Sequence, residues 1–253
     1  MKNGIILAGG TGSRLYPLTH VVNKHLLGVD GKFIIDYPLD TLKKMGCENV
    51  TVILGGNHFS QVVDHLKDGS AHGMKFNYVY QGAASGIAQA INLCERFVAD
   101  QEQFAVILGD NIYENPVNFF YDDDRINDGD NVGQCFAEVA LHRHSELNRF
   151  GVATINQNKK IIKIEEKPKV IDTNYDNYAI TGCYLFNQKF FRYFRDLKPS
   201  ARGEYEITDI LHAYHQDDSL HHTFTDGLWS DAGTHESVEF VNNYFHEKKH
   251  GTP

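Results

Sequence analysis

Short apolar segments alternate with amphipathic ones along roughly the first 110 residues, and this alternation restricts the fold more than any other feature of the sequence. The apolar runs have strand length, and the segments between them carry apolar residues at helical spacing. Strands that alternate with helices favour a mostly parallel sheet with helices on both faces. The sequence therefore predicts an α/β, Rossmann-like fold. The predicted strands are Gly4–Ala8, Val50–Leu54, Phe76–Tyr80 and Phe104–Leu108, and the predicted helices are Ile34–Met45, Phe59–Leu66 and Ile87–Val98.

The second half of the chain has a different pattern, with four strand-like runs close together and helical patterns mainly after them. We expect these strands to form a smaller sheet that covers one side of the ligand cleft. A single domain over residues 1–253 is predicted, with halves of about 1–130 and 131–253. The strands are Cys135–Leu141, Gly151–Ile155, Ile161–Glu165 and Tyr178–Phe186, and the helices are Lys189–Arg195, Glu206–His215 and His235–Lys248.

Charge and cysteine content exclude several classes of protein. The formal net charge of −9 argues against nucleic-acid binding and against binding to anionic membranes. The four cysteines form no CxxC pair, which favours small core residues in a reducing cytoplasm over zinc or disulfides. No apolar run has the length of a signal peptide or membrane span, so a cytoplasmic location is expected. The cysteines are Cys47, Cys94, Cys135 and Cys183.

A glycine-rich loop, Gly9–Arg14, follows the first predicted strand. Such a loop exposes backbone N–H groups that can hold phosphate oxygens, and glycine permits the close approach and the positive φ angles. It lacks the Gly-Lys-Ser/Thr ending of a P-loop. It also lacks the third glycine of a dinucleotide loop, because that position is Leu15. We expect phosphate binding here, with a plain tight turn as the alternative.

Two basic and two acidic residues are candidates for the chemistry. Arg14 and Lys24 can neutralise phosphate charge, although an isolated lysine is usually a surface residue. Asp110 follows a buried strand and is placed to bind Mg²⁺, or alternatively to shape an Asx-turn. Asp231 is a second candidate for Mg²⁺, with helix N-capping as the alternative.

Other polar clusters carry weaker signals. Glu166 and Lys167 follow a predicted strand and could bind a sugar phosphate, or form an exposed charged turn. The acidic triplet 122–124 is interpreted as a solvated loop. The 14 histidines are interpreted as mainly surface residues, with a metal-binding role as the weaker alternative. A GxSxG elbow is also absent from the sequence, so serine hydrolase chemistry has no support.

Taken with the segments that follow it, the first loop resembles the signature of sugar nucleotidyltransferases, and within them the glucose-1-phosphate thymidylyltransferase branch. The matching segments occur in the family's order from residue 4 to about residue 240. They are Gly4–Leu18, Asn23–Leu27, Gly86–Ala90, Val106–Asn111, Arg149–Ala153, Ile164–Pro168, Tyr178–Gly182, Lys198–Glu204 and Trp229–Thr234.

This resemblance implies transfer of a thymidylyl group from dTTP to glucose 1-phosphate, with pyrophosphate released and Mg²⁺ as cofactor. It implies catalytic roles for Arg14, Lys24, Asp110 and Asp231, the two aspartates holding the metal. The nucleotide-binding residues it implies are Leu7, Ala8, Gly9, Gly10, Thr11, Gly12, Ser13, Gln81 and Gly86. The sugar-phosphate-binding residues it implies are Asn111, Gly151, Glu166, Lys167 and Ile180.

Several positions depart from the family pattern, including the segment Asp172–Asn177, which is longer than usual. The chain also ends without the helical tail of longer members, so the homo-oligomer that the resemblance implies would lack tail-mediated contacts. The substituted positions are Gly28 for Pro, His25 for Gln, Phe150 for Tyr, Ser85 for Asp and Ala232 for Thr.

Three alternatives remain open from sequence. A related enzyme could use UTP in place of dTTP, or another sugar 1-phosphate. A non-catalytic sugar-nucleotide sensor would be expected to have lost a metal or phosphate ligand, whereas all four candidates are present. A nicotinamide-dependent oxidoreductase fits the strand and helix pattern but lacks the third glycine.

Overall fold

A computed structural model of the chain describes residues 2–99, 102–119 and 136–251. Within these residues the chain forms an α/β fold around a mixed central sheet of nine strands, with two small two-stranded sheets beside it. The predicted fold class is therefore confirmed. The strands are β1 Asn3–Ala8, β2 Gly28–Val29, β3 Lys32–Phe33, β4 Asn49–Leu54, β5 Lys75–Tyr80, β6 Gln103–Leu108, β7 Asn111–Tyr113, β8 Ala137–His142, β9 Gly151–Ile155, β10 Ile161–Glu166, β11 Asp176–Asn187, β12 Leu220–Phe224 and β13 Trp229–Asp231.

The four strands of the first half form a parallel block in the order β6-β1-β4-β5. The apolar side chains of β1, β4 and β6 are buried on both faces, which explains their nearly continuous apolar sequences, whereas β5 is a partly exposed edge strand. Because the strands are parallel, their carboxyl ends lie at one edge of the sheet. That edge carries the glycine-rich loop after β1 and Asp110 after β6.

The strands of the second half do not form the separate layer that the sequence analysis expected. Strand β11 pairs antiparallel with β6, so β8 to β10 and β12 extend the central sheet. The physical reason is that β11 is 12 residues long and almost entirely buried, so it needs neighbours along both edges. A small sheet does form near the cleft, but it consists of β7 paired with β13.

The helices agree with the sequence analysis except in two places. The first helix begins at Asp36, because the N–H groups of Ile34 and Ile35 donate to Leu27 and His25. The predicted helix Ile87–Val98 is broken, since Leu93 and Cys94 donate to residues three positions back. The helices are α1 Asp36–Lys44, α2 Phe59–Leu66, α3 Ile87–Asn92, α4 Glu95–Val98, α5 Lys189–Asp196, α6 Ile207–Gln216 and α7 His235–His250.

Two large apolar clusters lie on the two faces of the sheet and rest on alternate residues of the same strands. Ile5, Val106 and Tyr184 belong to one cluster, whereas Ile6 and Ile107 belong to the other. Cys47, Cys94 and Cys183 are buried among these side chains as free thiols, in agreement with the sequence analysis. Cys135 and the acidic triplet 122–124 lie outside the described residues. Among the residues described, no helix is long and apolar enough to span a bilayer.

Helix α7 is held against the β7–β13 sheet by Glu114, whose side chain is 10% exposed. Hydrogen bonds from Lys248, from the Tyr244 hydroxyl and from the Leu228 N–H lower the pKa of Glu114 from 4.5 to about 2. The helix itself begins at a capping box formed by Thr234 and Ser237.

Replacing Glu114 with glutamine should lower the free energy of unfolding by about 1–2 kcal/mol at neutral pH. Since the folded-state pKa is depressed, this contribution is present above about pH 4.5 and is lost as the pH falls through about 2. Urea unfolding of the wild type and of the Glu114→Gln variant, from neutral pH down to about pH 2, measures the difference in the free energy of unfolding. A difference that stayed constant down to pH 2 would contradict the assignment.

Candidate active site

Two adjoining cavities lie at the carboxyl edge of the parallel strands. The smaller cavity, of about 250 Å³, is lined by Leu7, Gly9, Lys24, Gln81 and Gly86 among others. The larger, of about 460 Å³, is lined on its far side by residues of β9 to β11 and α6. Ile87, Leu108 and Asp110 line both cavities. The two therefore meet at Asp110, where two bound molecules could react.

The glycine-rich loop forms one margin of this cleft. Gly10 and Gly12 have φ angles of 94° and 65°, and Gly12 is held by a hydrogen bond from the Thr19 hydroxyl to its carbonyl. The N–H groups of residues 10–13 have no acceptor within the part of the chain that the structure describes. They are therefore free to donate to an anion. Ala8 is fully buried as a whole residue and does not line either cavity.

Lys24 connects this loop to Asp110. Its Nζ lies 2.7 Å from Asp110 Oδ2, and its side chain passes within 4.0 Å of the Cβ position that Gly10 would have. Burial raises the pKa of Asp110, but Lys24 and His25 outweigh it and hold that pKa well below its usual range. Asp110 is thus a carboxylate at neutral pH, and it does not form the Asx-turn considered as the alternative.

Asp231 is the second carboxylate of the cleft. It pairs across β13 and β7 with Asn111, which places it beside Asp110. Burial and the negative charge of Asp110 raise the pKa of Asp231, although Arg149 and Arg14 oppose this. The N-cap of α7 is Thr234, so capping does not occupy Asp231.

Asp110 and Asp231 fit a hard divalent cation. Two carboxylates that repel one another in a half-buried cleft are the oxygen ligands that Mg²⁺ prefers, and a cation between them would relieve the repulsion. The exposed fractions of their side chains are 15% and 20%, so both can be reached from the cleft. The chemistry of the donor set therefore agrees with the predicted metal site, which stays a prediction.

Asn111 is almost fully buried and holds the centre of the cleft together. Its Oδ1 accepts from the Gly182 N–H at 3.0 Å and from Trp229 Nε1 at 2.7 Å. Its Nδ2 donates to Asp110 Oδ1 at 3.1 Å. Asn111 lines the larger cavity, and its predicted contact with a sugar phosphate stays a prediction; it also orients Asp110, a role that the sequence did not indicate.

Gln81 is buried beside the glycine-rich loop, with its Oε1 3.1 Å from the Cβ position that Gly9 would have, and its Nε2 donates to Gln89 Oε1 at 2.7 Å. Gly86 adopts φ 102° and ψ 167°, a conformation open only to glycine. A Cβ on Gly86 would lie 2.5 Å from the Tyr205 carbonyl oxygen. This close approach is supported by a hydrogen bond from the Tyr205 N–H to the Ser85 carbonyl.

Glu166 lies at the far end of the larger cavity and is held from two sides. Its Oε1 accepts from Arg202 Nη2 at 3.1 Å, and its Oε2 accepts from the Thr208 hydroxyl at 3.3 Å. Gly151 and Ile180 line the same region. Lys167 also lines the cavity, with 45% of its side chain exposed. Glu166 and Lys167 are therefore part of the cleft wall and do not form a simple exposed turn.

Several cleft residues were not assigned a site role from sequence. Arg149 lies within a matched segment, and its Nη2 is 3.4 Å from Asp231. Thr208 and Tyr205 lie in regions whose proximity to the cleft depends on the fold. Arg14, which was predicted, lines the larger cavity, and a Cβ on Gly233 would lie 2.8 Å from its Nη2. Phe150 contributes a ring without a hydroxyl, as the departure from the family pattern implied.

His25 is the exception to the expectation that the histidines lie mainly at the surface, since the other 13 are exposed or partly buried. It is fully buried, and its Nδ1 lies 2.8 Å from Asn23 Oδ1. Burial and then the charge of Lys24 lower its pKa to about 3, so the ring is neutral. The ring supports the turn before Asp110, since a Cβ on Gly109 would lie 2.9 Å from His25 Cδ2.

The chain is similar to known proteins in both sequence and structure. A family model described as nucleotidyl transferase matches residues 3–248. Glucose-1-phosphate thymidylyltransferase of Neisseria meningitidis is 36% identical over 246 residues, which cover 93% of this chain and 79% of the relative. The low-salt glycan biosynthesis nucleotidyltransferase Agl11 of Haloferax volcanii is 34% identical over 254 residues, covering 98% of this chain and 68% of the relative.

Among solved structures, a Bacillus anthracis protein assigned as a glucose-1-phosphate thymidylyltransferase, in complex with sucrose, superposes with a TM-score of 0.85. It is 45% identical, and the match covers 96% of this chain and 95% of that one. A UDP-glucose pyrophosphorylase in complex with UDP-glucose has a TM-score of 0.81 at 24% identity, covering 98% of this chain and 99% of that one. The second similarity concerns the fold alone.

Proposed function

Because the chain belongs to the nucleotidyl transferase family, we propose that it transfers a thymidylyl group from dTTP to glucose 1-phosphate and releases pyrophosphate. The resemblance noted from sequence is confirmed at the level of the family, and the activity is that of a sugar-1-phosphate nucleotidyltransferase. The proposal concerns which nucleotide and which sugar are used. Relatives at 35–37% identity that carry the thymidylyltransferase name support it.

The observation that carries the proposal is the meeting of the two cavities at Asp110. The smaller cavity is lined by Gly9 of the glycine-rich loop and by Gln81 and Gly86, so it combines groups that can contact phosphates with groups that can contact a base. The larger cavity ends at Glu166, whose carboxylate can accept hydrogen bonds from sugar hydroxyls. A nucleotide in one cavity and a sugar phosphate in the other would bring their phosphates together at Asp110.

The proposed reaction is an in-line displacement. An oxygen of the sugar phosphate forms a bond to the α-phosphorus of dTTP, and the bond from that phosphorus to the bridging oxygen of the β-phosphate breaks. Since the nucleophile is already an anion, positioning and charge neutralisation account for the catalysis. Lys24 and Arg14 supply fixed positive charge beside the loop, and the free N–H groups of residues 10–13 hold the departing pyrophosphate.

Mg²⁺ completes the proposed site, with Asp110 and Asp231 as its protein ligands. Bound there, the ion would supply positive charge to phosphate oxygens. The protein's own contribution is to keep both carboxylates ionised and oriented. Asn111 and Lys24 hold Asp110 in place, and Arg149 opposes the rise in the pKa of Asp231 that burial causes.

A pyrophosphate-release assay over a panel of nucleotides and sugar 1-phosphates tests the assignment. The highest kcat/KM is expected for dTTP with glucose 1-phosphate. If UTP or another sugar 1-phosphate is preferred, the chain is a related transferase and the specific assignment is wrong. If no pair releases pyrophosphate, the sensor alternative gains support. Unchanged NADH fluorescence on addition of the protein would exclude the oxidoreductase alternative.

Replacing Glu166 with glutamine should raise KM for glucose 1-phosphate by about tenfold or more, with little change in KM for dTTP. The reason is that hydrogen bonds to a charged acceptor contribute roughly 1.5–3 kcal/mol, and a neutral amide loses part of that energy. Steady-state kinetics with each substrate varied in turn measure the effect. Glu165→Gln is a matched control from the same strand, and it should leave both KM values unchanged. An equal rise in both KM values for the Glu166 variant would contradict the division between the cavities.

A further inference from the structure

A cluster of metal-ligating side chains lies outside the cleft, and the nucleotidyl transfer does not use it. It consists of Asp36 at the start of α1, His65 near the end of α2, and His72 in the turn before β5. One ligand atom from each residue lies within 4.8 Å of the other two. His65 and His72 are 29 and 36 positions after Asp36 in the sequence, so the fold brings the three residues together.

We propose that Asp36, His65 and His72 bind a zinc-class transition-metal cation at a site separate from the cleft. Two imidazoles and one carboxylate are a donor set that suits Zn²⁺. Mg²⁺ prefers oxygen ligands alone, so the cluster selects a different ion from the one proposed for Asp110 and Asp231. Three protein ligands leave a fourth position for water.

Two of the three ligands are already oriented towards each other. His65 Nε2 lies 2.9 Å from Asp36 Oδ1, and the exposed fractions of the two side chains are 26% and 20%. The other oxygen of Asp36 accepts from the Phe33 N–H at 3.0 Å, which fixes the carboxylate. Such outer hydrogen bonds orient metal ligands and strengthen binding. On metal binding, the proton between His65 and Asp36 leaves Nε2, and the neutral ring carries its one proton on Nδ1.

His72 completes the cluster from a short turn. Ligand atoms around tetrahedral Zn²⁺ lie about 3.4 Å apart, and those of the cluster lie within 4.8 Å of one another, so small side-chain movements are enough to seat the ion. His72 lies in a short turn bounded by Gly69 and Gly73, both with positive φ, and its ring is half-buried. A side-chain rotation there can close the site, while Lys43 Nζ holds the His72 carbonyl at 2.7 Å.

Aromatic rings partly enclose the cluster. The Phe33 ring packs edge-on against His65 with centroids 4.8 Å apart, and the Phe76 ring lies 5.7 Å from His72. Apolar walls around a metal site limit the access of water. An ion bound here would connect α1, α2 and the start of β5, and would therefore stabilise this side of the fold.

The test measures Zn²⁺ binding by equilibrium dialysis and elemental analysis, with millimolar MgCl₂ present. It compares the wild type with H65Q/H72Q and with a matched control, H212Q/H235Q. The control removes two exposed histidines that lie on different helices, α6 and α7. Wild type and control should bind one more Zn²⁺ per chain than H65Q/H72Q, and Zn²⁺ should raise Tm only in those two forms.

Equal stoichiometry and affinity in all three forms would overturn the proposal. If H65Q/H72Q does not fold, H72Q carries the test instead, because it keeps the hydrogen bond between His65 and Asp36. The affinity of H72Q for Zn²⁺ should fall on the order of 100-fold. Unchanged affinity in H72Q would likewise overturn the proposal. Neither measurement depends on the nucleotidyl transfer reaction.

Discussion

Replacing Asp110 with asparagine should lower kcat for pyrophosphate release by about 1000-fold while leaving the fold intact. Asp110 lines both cavities, and its carboxylate accepts from Lys24 and Asn111. Asparagine keeps the shape of the side chain but removes the negative charge that the metal needs and that pairs with Lys24. Pyrophosphate release measures the loss, and thermal unfolding reports on the fold.

Asp196→Asn is the matched control, because Asp196 is exposed at the end of α5 and away from both cavities. It should keep wild-type activity. Asp231→Asn should also be strongly impaired, although it leaves the Lys24–Asp110 pair in place. Full activity in the Asp110 variant would remove this residue from the mechanism.

Replacing Gly86 with alanine should lower the free energy of unfolding by about 3–5 kcal/mol and abolish measurable nucleotide binding. The residue has a backbone conformation open only to glycine, and an added Cβ would lie 2.5 Å and 2.7 Å from backbone atoms of Tyr205. Because the obstruction is backbone, it cannot be relieved by rotating a side chain. Urea unfolding and dTTP titration measure the two effects.

Gly31→Ala separates backbone strain from the steric clash. Gly31 also has a positive φ, of 82°, but no atom lies within 4 Å of the position of an added Cβ. The free energy of unfolding of this variant should fall by only about 1 kcal/mol. Equal destabilisation by the two substitutions would show that the approach of Tyr205 to Gly86 carries no special cost.

The sequence predicted the first half of the fold well, because buried parallel strands are continuous apolar runs and end in glycine or polar residues. Strand β1, the glycine-rich loop after it and Asp110 after β6 could all be located in this way. The prediction of a separate second sheet was wrong, because apolar periodicity identifies strands but does not indicate which strands pair. The pairing of β11 with β6 joins residues 76 to 84 positions apart.

Contacts between distant segments also limit how much of the candidate site can be predicted from the sequence. The candidate ligands could be identified by residue type and by position after strands. That Asn111 accepts from Trp229, or that Thr208 donates to Glu166, depends on the fold and has no local signal. His25 illustrates the same limit, because its burial follows from packing under Gly109. The cluster of Asp36, His65 and His72 was likewise hidden among histidines interpreted as surface residues.

The central claim is that the two cavities form one site for a nucleotide and a sugar phosphate, and a crystal structure of the complex with dTDP-glucose tests it most directly. The account predicts the thymine base beside Gln81 and Gly86, the diphosphate beside Lys24, and the glucose against Glu166. A glucose outside the cavity that contains Glu166, or a base outside the cavity that contains Gly86, would contradict it.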